Sequence, residues 1–470
     1  MDNYDLIVIG GGPGGYESAL EAAKVYGMKV ALVEARELGG TCLNRGCIPT
    51  KTLLHTADLY RELVTHGDEM GIGGSGGLEL SMGGLQRRKS DVLEQMRGGI
   101  AALLKAAKVD VYQGVGKLKG PGVVTVQSLH AEEGDAPATL FELKGTNVLL
   151  ASGSVPAVPP IPGADSPSVV TSDELLAQET MPESLVIVGG GVIGMEFASV
   201  FSALGTKVTI IEALDRIIAN LDKELSRSLA MIAKKAHGVE IHTSAMVRSI
   251  KEVSGGKLTV SYTEKEQPME AEGDLVLLAI GRKPNTAGLI ADCAEDKVKA
   301  IVGERGFITV DENFQTSLSG VYAAGDCIGG IQLAHVATAE GRTAVAHMNK
   351  ATAPVEMAVV PSCLYTSPEI AAVGMTDAEA KEQEIEIVTK KYPMSANGKT
   401  ILSFEERGFV KVVAEKESGK ILGAQLMCAR ATDMIAQFSQ AIACGLTLDD
   451  MAKVIYPHPT FNEGIGEAVR

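Results

Sequence analysis

Leu6-Ile7-Val8-Ile9-Gly10-Gly11-Gly12-Pro13-Gly14-Gly15 stands near the start of the chain, and Leu185-Val186-Ile187-Val188-Gly189-Gly190-Gly191-Val192-Ile193-Gly194 repeats its pattern far downstream. In each copy an apolar run reads as a buried strand, and Gly-x-Gly-x-x-Gly follows at once. After the first copy a helical stretch leads to Tyr26, and a second strand, Val30 to Val33, ends in Glu34. After the second copy a helical stretch leads to Val208-Thr209-Ile210-Ile211, ending in Glu212. Strand, glycines, helix, strand and terminal acid in this order are the pattern of a dinucleotide-binding unit. Gly10, Gly12 and Gly15, like Gly189, Gly191 and Gly194, allow a tight turn and let the backbone approach a pyrophosphate. The free N–H groups and dipole of the helix start favour that anion. Glu34 and Glu212 would accept hydrogen bonds from the adenosine ribose. Repetition implies two dinucleotides, and a carboxylate at Glu212 repels a 2′-phosphate, so the second site reads as NAD. Arg216 is the counter-signal, a nearby cation that could accommodate that phosphate.

Directly after the first unit comes Gly40-Thr41-Cys42-Leu43-Asn44-Arg45-Gly46-Cys47-Ile48-Pro49-Thr50-Lys51. Thiols beside a dinucleotide suggest electrons passing between a cofactor and a disulfide. Two buried thiols, or half of a metal site, are the other readings of the pair. The segment should be an irregular helix. Five residues of regular helix rise ~7.5 Å, whereas a disulfide wants Cα atoms within about 7 Å. Gly46 gives the backbone freedom, and Pro49 cannot donate to the preceding turn. Cys293, Cys327, Cys363, Cys428 and Cys444 lack Cys-x-x-Cys spacing, so no metal site is expected.

The chain has 470 residues, too long for one core, and implies about three domains. Aromatics are 4 % and Gly numbers 53, which suits an α/β architecture of many tight strand-to-helix turns. Acidic residues outnumber basic ones by 59 to 43, which argues against nucleic acid as a partner. Met1 to Asp5 carries no leader-like segment, and no apolar run approaches the ~20 residues of a spanning helix, so no membrane is expected. The odd number of scattered cysteines is unlike a secreted disulfide framework. Cytoplasmic, reducing conditions are expected, and a disulfide kept there is catalytic rather than structural. Gly71 to Gly84 reads as a loop, Leu85 to Val109 as a long helix, and the prolines from Pro156 to Pro162 as a linker. Strands are expected at Asn147 to Ala151, Leu275 to Ile280, Gly320 to Ala323 and Gly408 to Val413, and a helix at Asp433 to Cys444.

These motifs resemble the pyridine nucleotide–disulfide oxidoreductase family, and within it the dihydrolipoyl dehydrogenase branch. The resemblance rests on Gly10 to Gly15, Gly40 to Lys51, Ser152-Gly153, Gly189 to Glu196, Ala279 to Asn285, Thr316 to Asp326, Tyr365 to Glu369 and His458 to Glu463. It implies an FAD-binding domain at residues 1–150, an NAD-binding domain at 151–280, a central segment completing the FAD site at 281–350, and an α+β dimerisation domain at 351–470. FAD would meet Glu34 through its ribose, Asp326 through its ribityl chain, and backbone N–H groups near Ala334. Gly40, Thr41, Lys51, Gly116, Ser152, Gly153, Val247 and Gly281 are the further cofactor contacts it implies, with Lys51 paired to Glu196. Cys47 would face the flavin and Cys42 the substrate.

The implied activity is oxidation of dihydrolipoamide with reduction of NAD+. His458 would be the base and Glu463 its orienter, with His458 reaching the site from the partner subunit of a homodimer. The lipoyl group would come from a protein of a 2-oxo acid dehydrogenase or glycine cleavage complex. The chain departs from the family in Tyr456-Pro457 before His458, in Phe461-Asn462 before Glu463, in Thr50, and in Arg45, a cation that could lower a thiol pKa. The alternatives are a glutathione- or mercuric-reductase-like enzyme, or a catalytically silent flavoprotein scaffold. Glu212 disfavours the NADP-using reductases, and the intact Cys42, Cys47, His458 and Glu463 disfavour the scaffold.

Overall fold

The computed structural model describes residues 3–129, 140–253, 255–405 and 408–470. Met1 and Asp2, the start of the segment read for a leader, lie outside them. Two compact units result. The first gathers Met1–Thr50, Gln86–Ala157 and Gly281–Met357, and the second Lys51–Leu85, Val158–Ile280 and Ala358–Arg470.

This division differs from the one expected, and the apolar packing says why. Residues 51–85, expected in the first domain, bury Leu53, Leu54 and Leu85 in the same core as Leu185, Ile187 and Phe197 of the second unit. Leu364, Ile370, Phe409 and Met427 bury there too, so residues 358–470 share a unit with the second fingerprint. The 281–350 segment joins the first unit because strand Val321–Ala323 pairs in parallel with Leu140–Leu150.

In the first unit the strand Asn3–Ile9 lies between Val30–Glu34 and Leu140–Leu150, parallel to both. Strand Asp110–Gly120 pairs in parallel with Val30–Glu34. Strands Asp110–Gly120 and Leu140–Leu150 both run on past the parallel pairing, where Val123–Ser128 bridges them in antiparallel fashion. Only the last residues of Leu140–Leu150 are continuously buried, which is why the sequence signal begins near Asn147. Leu6, Val8 and Leu32 fill one face of the sheet with Leu20 and Leu104. Ile7, Ile9 and Val33 fill the other with Val124 and Val148. A parallel sheet covered on both faces needs apolar runs rather than alternation.

The second unit repeats the plan with five parallel strands, in the order Glu240–His242, Lys207–Ile211, Ser184–Val188, Leu275–Leu278, Val169–Val170. An antiparallel meander follows in Ala245–Glu252, Leu258–Glu264 and Gln267–Gly273. The C-terminal part is a five-stranded antiparallel sheet from Ser362–Leu364 to Ile421–Met427. Helices Ala431–Ala443 and Glu463–Val469 bury Phe438, Ile435, Ile465 and Val469 against it. The fold is thus α/β, with two Rossmann-like parts and an α+β part. The long helix begins at Met82, ahead of the expected Leu85, because Ser81 Oγ accepts from Gly84 N at 3.1 Å and caps it.

Candidate active site

Both glycine turns have the same internal geometry. Gly10 (φ +106°) and Gly189 (φ +111°) lie in the left-handed region. A Cβ on Gly15 would fall 1.8 Å from Gly10 O, and one on Gly194 2.0 Å from Gly189 O. Those glycines are required by the turn itself. Gly12 and Gly191 are different. Their φ values, −73° and −76°, suit any residue. A Cβ on Gly191 would meet nothing within 4 Å, and one on Gly12 only Gly40 Cα at 3.7 Å. Neither backbone nor packing calls for glycine there, so the bare backbone leaves a cradle at the start of each helix that a side chain would fill. The residues present therefore fit a dinucleotide pyrophosphate.

The terminal acids close back on the turns. Glu34 Oε2 accepts from Gly11 N at 2.5 Å and Oε1 from Arg36 N at 2.6 Å. Glu212 Oε2 accepts from Gly190 N at 2.6 Å and Oε1 from Leu214 N at 2.7 Å. Each carboxylate oxygen keeps a second lone pair for a ribose hydroxyl. Gly11 and Gly190, the middle glycines, were passed over in the sequence, although their N–H groups fix the acids. Arg216 donates to Ala219 O at 2.7 Å and lies 3.2 Å from Asp215. Its guanidinium is thus committed within its own loop.

The cysteine segment is irregular, as the spacing predicts. Helix Gly40–Arg45, which holds Thr41 and Cys42, stops at Gly46 (φ −145°, ψ −112°), and helix Cys47–His66 starts afresh. A Cβ on Gly46 would lie 3.0 Å from Thr41 O and 3.3 Å from Cys42 Cα. Only glycine lets the second helix begin that close to the first. Thr50 Oγ1 donates to Gly46 O at 2.7 Å and holds the break. Arg45 pairs with Glu37 at 2.9 Å, so its cation is largely taken up by that carboxylate. Burial raises the Glu37 pKa, but the Arg45 hydrogen bond and charge outweigh it and hold the carboxyl below its usual range. Elsewhere burial pushes Cys327 and Cys363 up to about 11 and Cys428 up to about 12, which keeps them protonated and unreactive.

One helical turn beyond Cys47, Lys51 Nζ meets both oxygens of Glu196, at 2.8 and 2.7 Å. Glu196 sits on helix Val192–Ala203 with its side chain 6 % exposed. Tyr365 N donates to Glu196 Oε1 at 3.1 Å, and the Tyr365 ring lies 4.5 Å from Lys51 Nζ. The pair expected from the resemblance is present. The cation–π contact is an addition the sequence did not disclose.

Asp326 follows strand Val321–Ala323 and accepts from Ser154 Oγ, to which Arg282 Nε donates at 2.7 Å. The preceding turn is held from the other side by Glu340, whose Oε2 accepts from Gly325 N at 2.7 Å. Glu340 is buried, and burial pushes its carboxyl up to about 7; the charge of Asp326 adds to this and the Gly325 bond opposes it. An acid on the buried, small-residue face Ala337, Gly341, Ala344 was the unused signal for it. Helix Ala334–Met348 begins there with no side-chain cap on Leu333. Its first N–H groups could face an anion. Ser152 O and Gly153 O accept from the Asn285 side chain and backbone, at 3.1 and 2.9 Å. Gly281 takes φ +122°. Gly116 and Val247 have packing reasons of their own. A Cβ on Gly116 would lie 3.1 Å from Val33, and Val247 packs against the core of Val186 and Val188 beside a bulge.

His458 and Glu463 form the last element. Nδ1 and Oε1 are 2.8 Å apart, and Thr460 N donates to Oε2 at 2.9 Å. These two bonds, His458 first, hold the Glu463 carboxyl below its usual range. The His458 side chain is 78 % exposed, so its Nε2 is open to a reactant. Gly10, Gly12, Gly15, Glu34, Gly40, Thr41, Cys42, Cys47, Gly116, Ser152, Gly153, Gly281, Asp326 and Ala334 thus fall in the first unit. Lys51, Gly189, Gly191, Gly194, Glu196, Glu212, Val247, His458 and Glu463 fall in the second.

Residues 4–341 match the family described as pyridine nucleotide-disulphide oxidoreductase, and residues 360–469 match its dimerisation domain. A dihydrolipoyl dehydrogenase of Bacillus subtilis is 39 % identical, over 99 % of this chain and 97 % of its own. Among solved structures, LpdA from Mycobacterium tuberculosis matches with TM-score 0.88 at 27 % identity, covering 99 % of both chains. The HOCl-induced flavoprotein disulfide reductase RclA from Escherichia coli, as its Cu(II) complex, matches with TM-score 0.86 at 29 % identity over 100 % of this chain and 99 % of its own.

Proposed function

Since the chain belongs to the pyridine nucleotide-disulphide oxidoreductase family, we propose that it oxidises dihydrolipoamide to lipoamide and reduces NAD+ to NADH, through a Cys42–Cys47 disulfide and FAD. The observation that carries this reading is the 2.8 Å contact between His458 and Glu463, in a chain that also sets Cys42 and Cys47 across a helix break. A dithiol must lose a proton before its sulfur can attack, and the chain supplies an open imidazole with a fixed orienter.

FAD would be held by the Gly10–Gly15 turn, Glu34, Asp326 and the helix start at Ala334, and NAD by the Gly189–Gly194 turn and Glu212. Bound FAD supplies the two-electron relay between the reduced cysteines and NAD+. Glu463 accepts from His458 Nδ1–H, which fixes the tautomer and leaves Nε2 as the base. His458 takes the proton from one substrate thiol. The resulting thiolate attacks Cys42 Sγ and forms a mixed disulfide, and Cys47 departs as thiolate. The second substrate sulfur displaces Cys42 and closes the lipoamide ring, and its proton passes to the leaving Cys42 sulfur. The substrate has then lost two electrons and two protons, and the cysteine pair has gained the electrons. Glu196 holds the Lys51 ammonium in one position.

The match to a dimerisation domain and the exposure of His458 support a homodimer in which the partner subunit's His458 serves each cysteine pair. The remaining partner in this reading is the lipoyl-bearing protein of a 2-oxo acid dehydrogenase or glycine cleavage complex. Among the described residues no helix is long and apolar enough to cross a membrane, and a reducing cytoplasm suits the chemistry. The relatives do not favour a glutathione- or mercuric-reductase-like enzyme or a silent scaffold.

His458→Gln should slow dihydrolipoamide oxidation by at least ~100-fold and spare reduction of a dye by NADH. Mixing His458→Gln with Cys42→Ser subunits should restore activity, because heterodimers then carry one intact site. No recovery, with heterodimers shown to form, would place each site within one chain.

A further inference from the structure

We infer that Asn397 is a positioning residue for the His458–Glu463 base, acting through the backbone of Thr460, whose carbonyl it holds and whose N–H bonds Glu463. The inference rests on the base assignment made above. Within its own chain His458 is exposed, and Glu463 is the group that holds its ring. Glu463 in turn depends on Thr460, whose N–H donates to Oε2 at 2.9 Å. The other side of that residue is gripped by Asn397, whose Nδ2 donates to Thr460 O at 3.0 Å. Asn397 is only 3 % exposed, and its amide is used at both ends. Oδ1 accepts from Thr400 N at 3.0 Å and Thr400 Oγ1 at 3.2 Å, capping the short helix Gly398–Leu402. A buried amide held at one end by a helix cap cannot swing to follow a moving Thr460.

The turn that carries Asn397 is itself anchored beneath Glu463. Asn397 N donates to Met394 O at 2.9 Å. Met394 is fully buried, and a Cβ on Gly464 would lie 2.6 Å from its sulfur. The helix that begins with Glu463 therefore rests directly on the Met394–Asn397 turn. One rigid corner sets both the carboxylate and the peptide bonded to it. Within its own chain the exposed imidazole takes its direction from that corner.

The amide's two ends can be separated by substitution in the flavin-loaded full-length enzyme. Asn397→Asp keeps an oxygen to cap the helix and loses the donor to Thr460. It should lower kcat and kcat/KM for dihydrolipoamide together, by about 10- to 100-fold. KM should stay within about twofold, and dye reduction by NADH, which needs no base, should be unchanged. Thr400→Val weakens the cap, keeps the bond to Thr460, and should retain dithiol turnover. If Asn397→Asp fails to fold, as read by lost dye reduction, Asn397→Ser takes its place, since a hydroxyl can cap but is too short to reach Thr460. Wild-type kcat in whichever variant folds, or an equal loss in Thr400→Val, overturns the inference and leaves Asn397 a helix cap. His458→Gln in the same assay separates the two readings. If it too turns over dithiol normally, the base assignment fails and the inference falls with it. If it is slow while Asn397→Asp is fast, only the inference falls.

Discussion

Glu17 and Glu196 hold the same place in the two glycine fingerprints, two residues past the last glycine, and the fold employs them differently. Glu17 pairs with Arg342 at 3.2 Å, with side chains 28 % and 39 % exposed. The pair lies between helices Pro13–Lys24 and Ala334–Met348, which pack so closely that a Cβ on Gly341 would fall 2.0 Å from Ser18 Oγ. Glu196, with its side chain 6 % exposed, takes both contacts of Lys51 and the N–H of Tyr365. The first is a half-exposed ion pair, where solvent and salt screen much of its value. The second removes a carboxylate from water and cannot lose its partner without stranding a charge. A fingerprint dictates the backbone. What the rest of the chain brings against it decides whether a given acid is a half-exposed tie or a buried ion pair.

The largest expected effect comes from the glycines themselves. Gly15→Ala and Gly194→Ala would set a methyl 1.8 or 2.0 Å from a carbonyl oxygen of their own turn. Each should abolish soluble folded protein, or yield it without flavin absorbance for Gly15→Ala and without NAD+ reduction for Gly194→Ala. Gly191→Ala meets no atom and should leave the melting temperature within a degree or two, while raising KM for NAD+ about tenfold. A Gly191→Ala enzyme with unchanged KM would remove the argument that this glycine exists for a ligand.

The paired acids come next. Glu196→Ala should lower stability to urea by about 3 kcal/mol, the low end for a broken buried pair because Lys51 keeps some solvent contact. Glu17→Ala should cost under about 1 kcal/mol. Equal losses in urea titrations of the two variants would erase the distinction drawn between them.

The smallest effect separates the two terminal acids. Glu212→Arg should move the ratio of kcat/KM for NADP+ against NAD+ about 100-fold, ~2.7 kcal/mol, towards NADP+, with flavin content unchanged. Glu34→Arg should do the opposite, losing flavin on purification and leaving nucleotide preference where it was. A Glu34 variant that changes nucleotide choice would mean that the cofactors are assigned to the wrong units.

Legibility in the sequence followed the range of the interactions. Both strand–glycine–helix–strand units could be read, because tight turns and two-faced burial impose residue types within a few positions. The break at Gly46 could be read from a length argument about the cysteines. The His458–Glu463 pair could be read because five residues of chain already bring the two side chains near each other. The meander Ala245 to Gly273 was invisible, since a half-exposed antiparallel strand carries little continuous apolar signal. Glu340, Tyr365 and Asn397 were missed as site residues for another reason. Each acts on a residue far away in sequence or at another element, and nothing beside it in the chain marks the bond.

By itself, then, the sequence determined the α/β class and the twofold use of a dinucleotide unit, and it singled out the cysteine pair and the His458–Glu463 pair. All of these are written in local spacing, because sterics and helix geometry act over a few residues. The tertiary structure alone decided that residues 51–85 leave the first unit for the second, that Glu17 and Glu196 part company, and that the buried Asn397 bonds the Thr460 carbonyl. Those outcomes depend on which apolar side chains find a common core and which polar groups lose water when they do. Burial of that kind is a property of the assembled chain, and no short stretch of it carries the information.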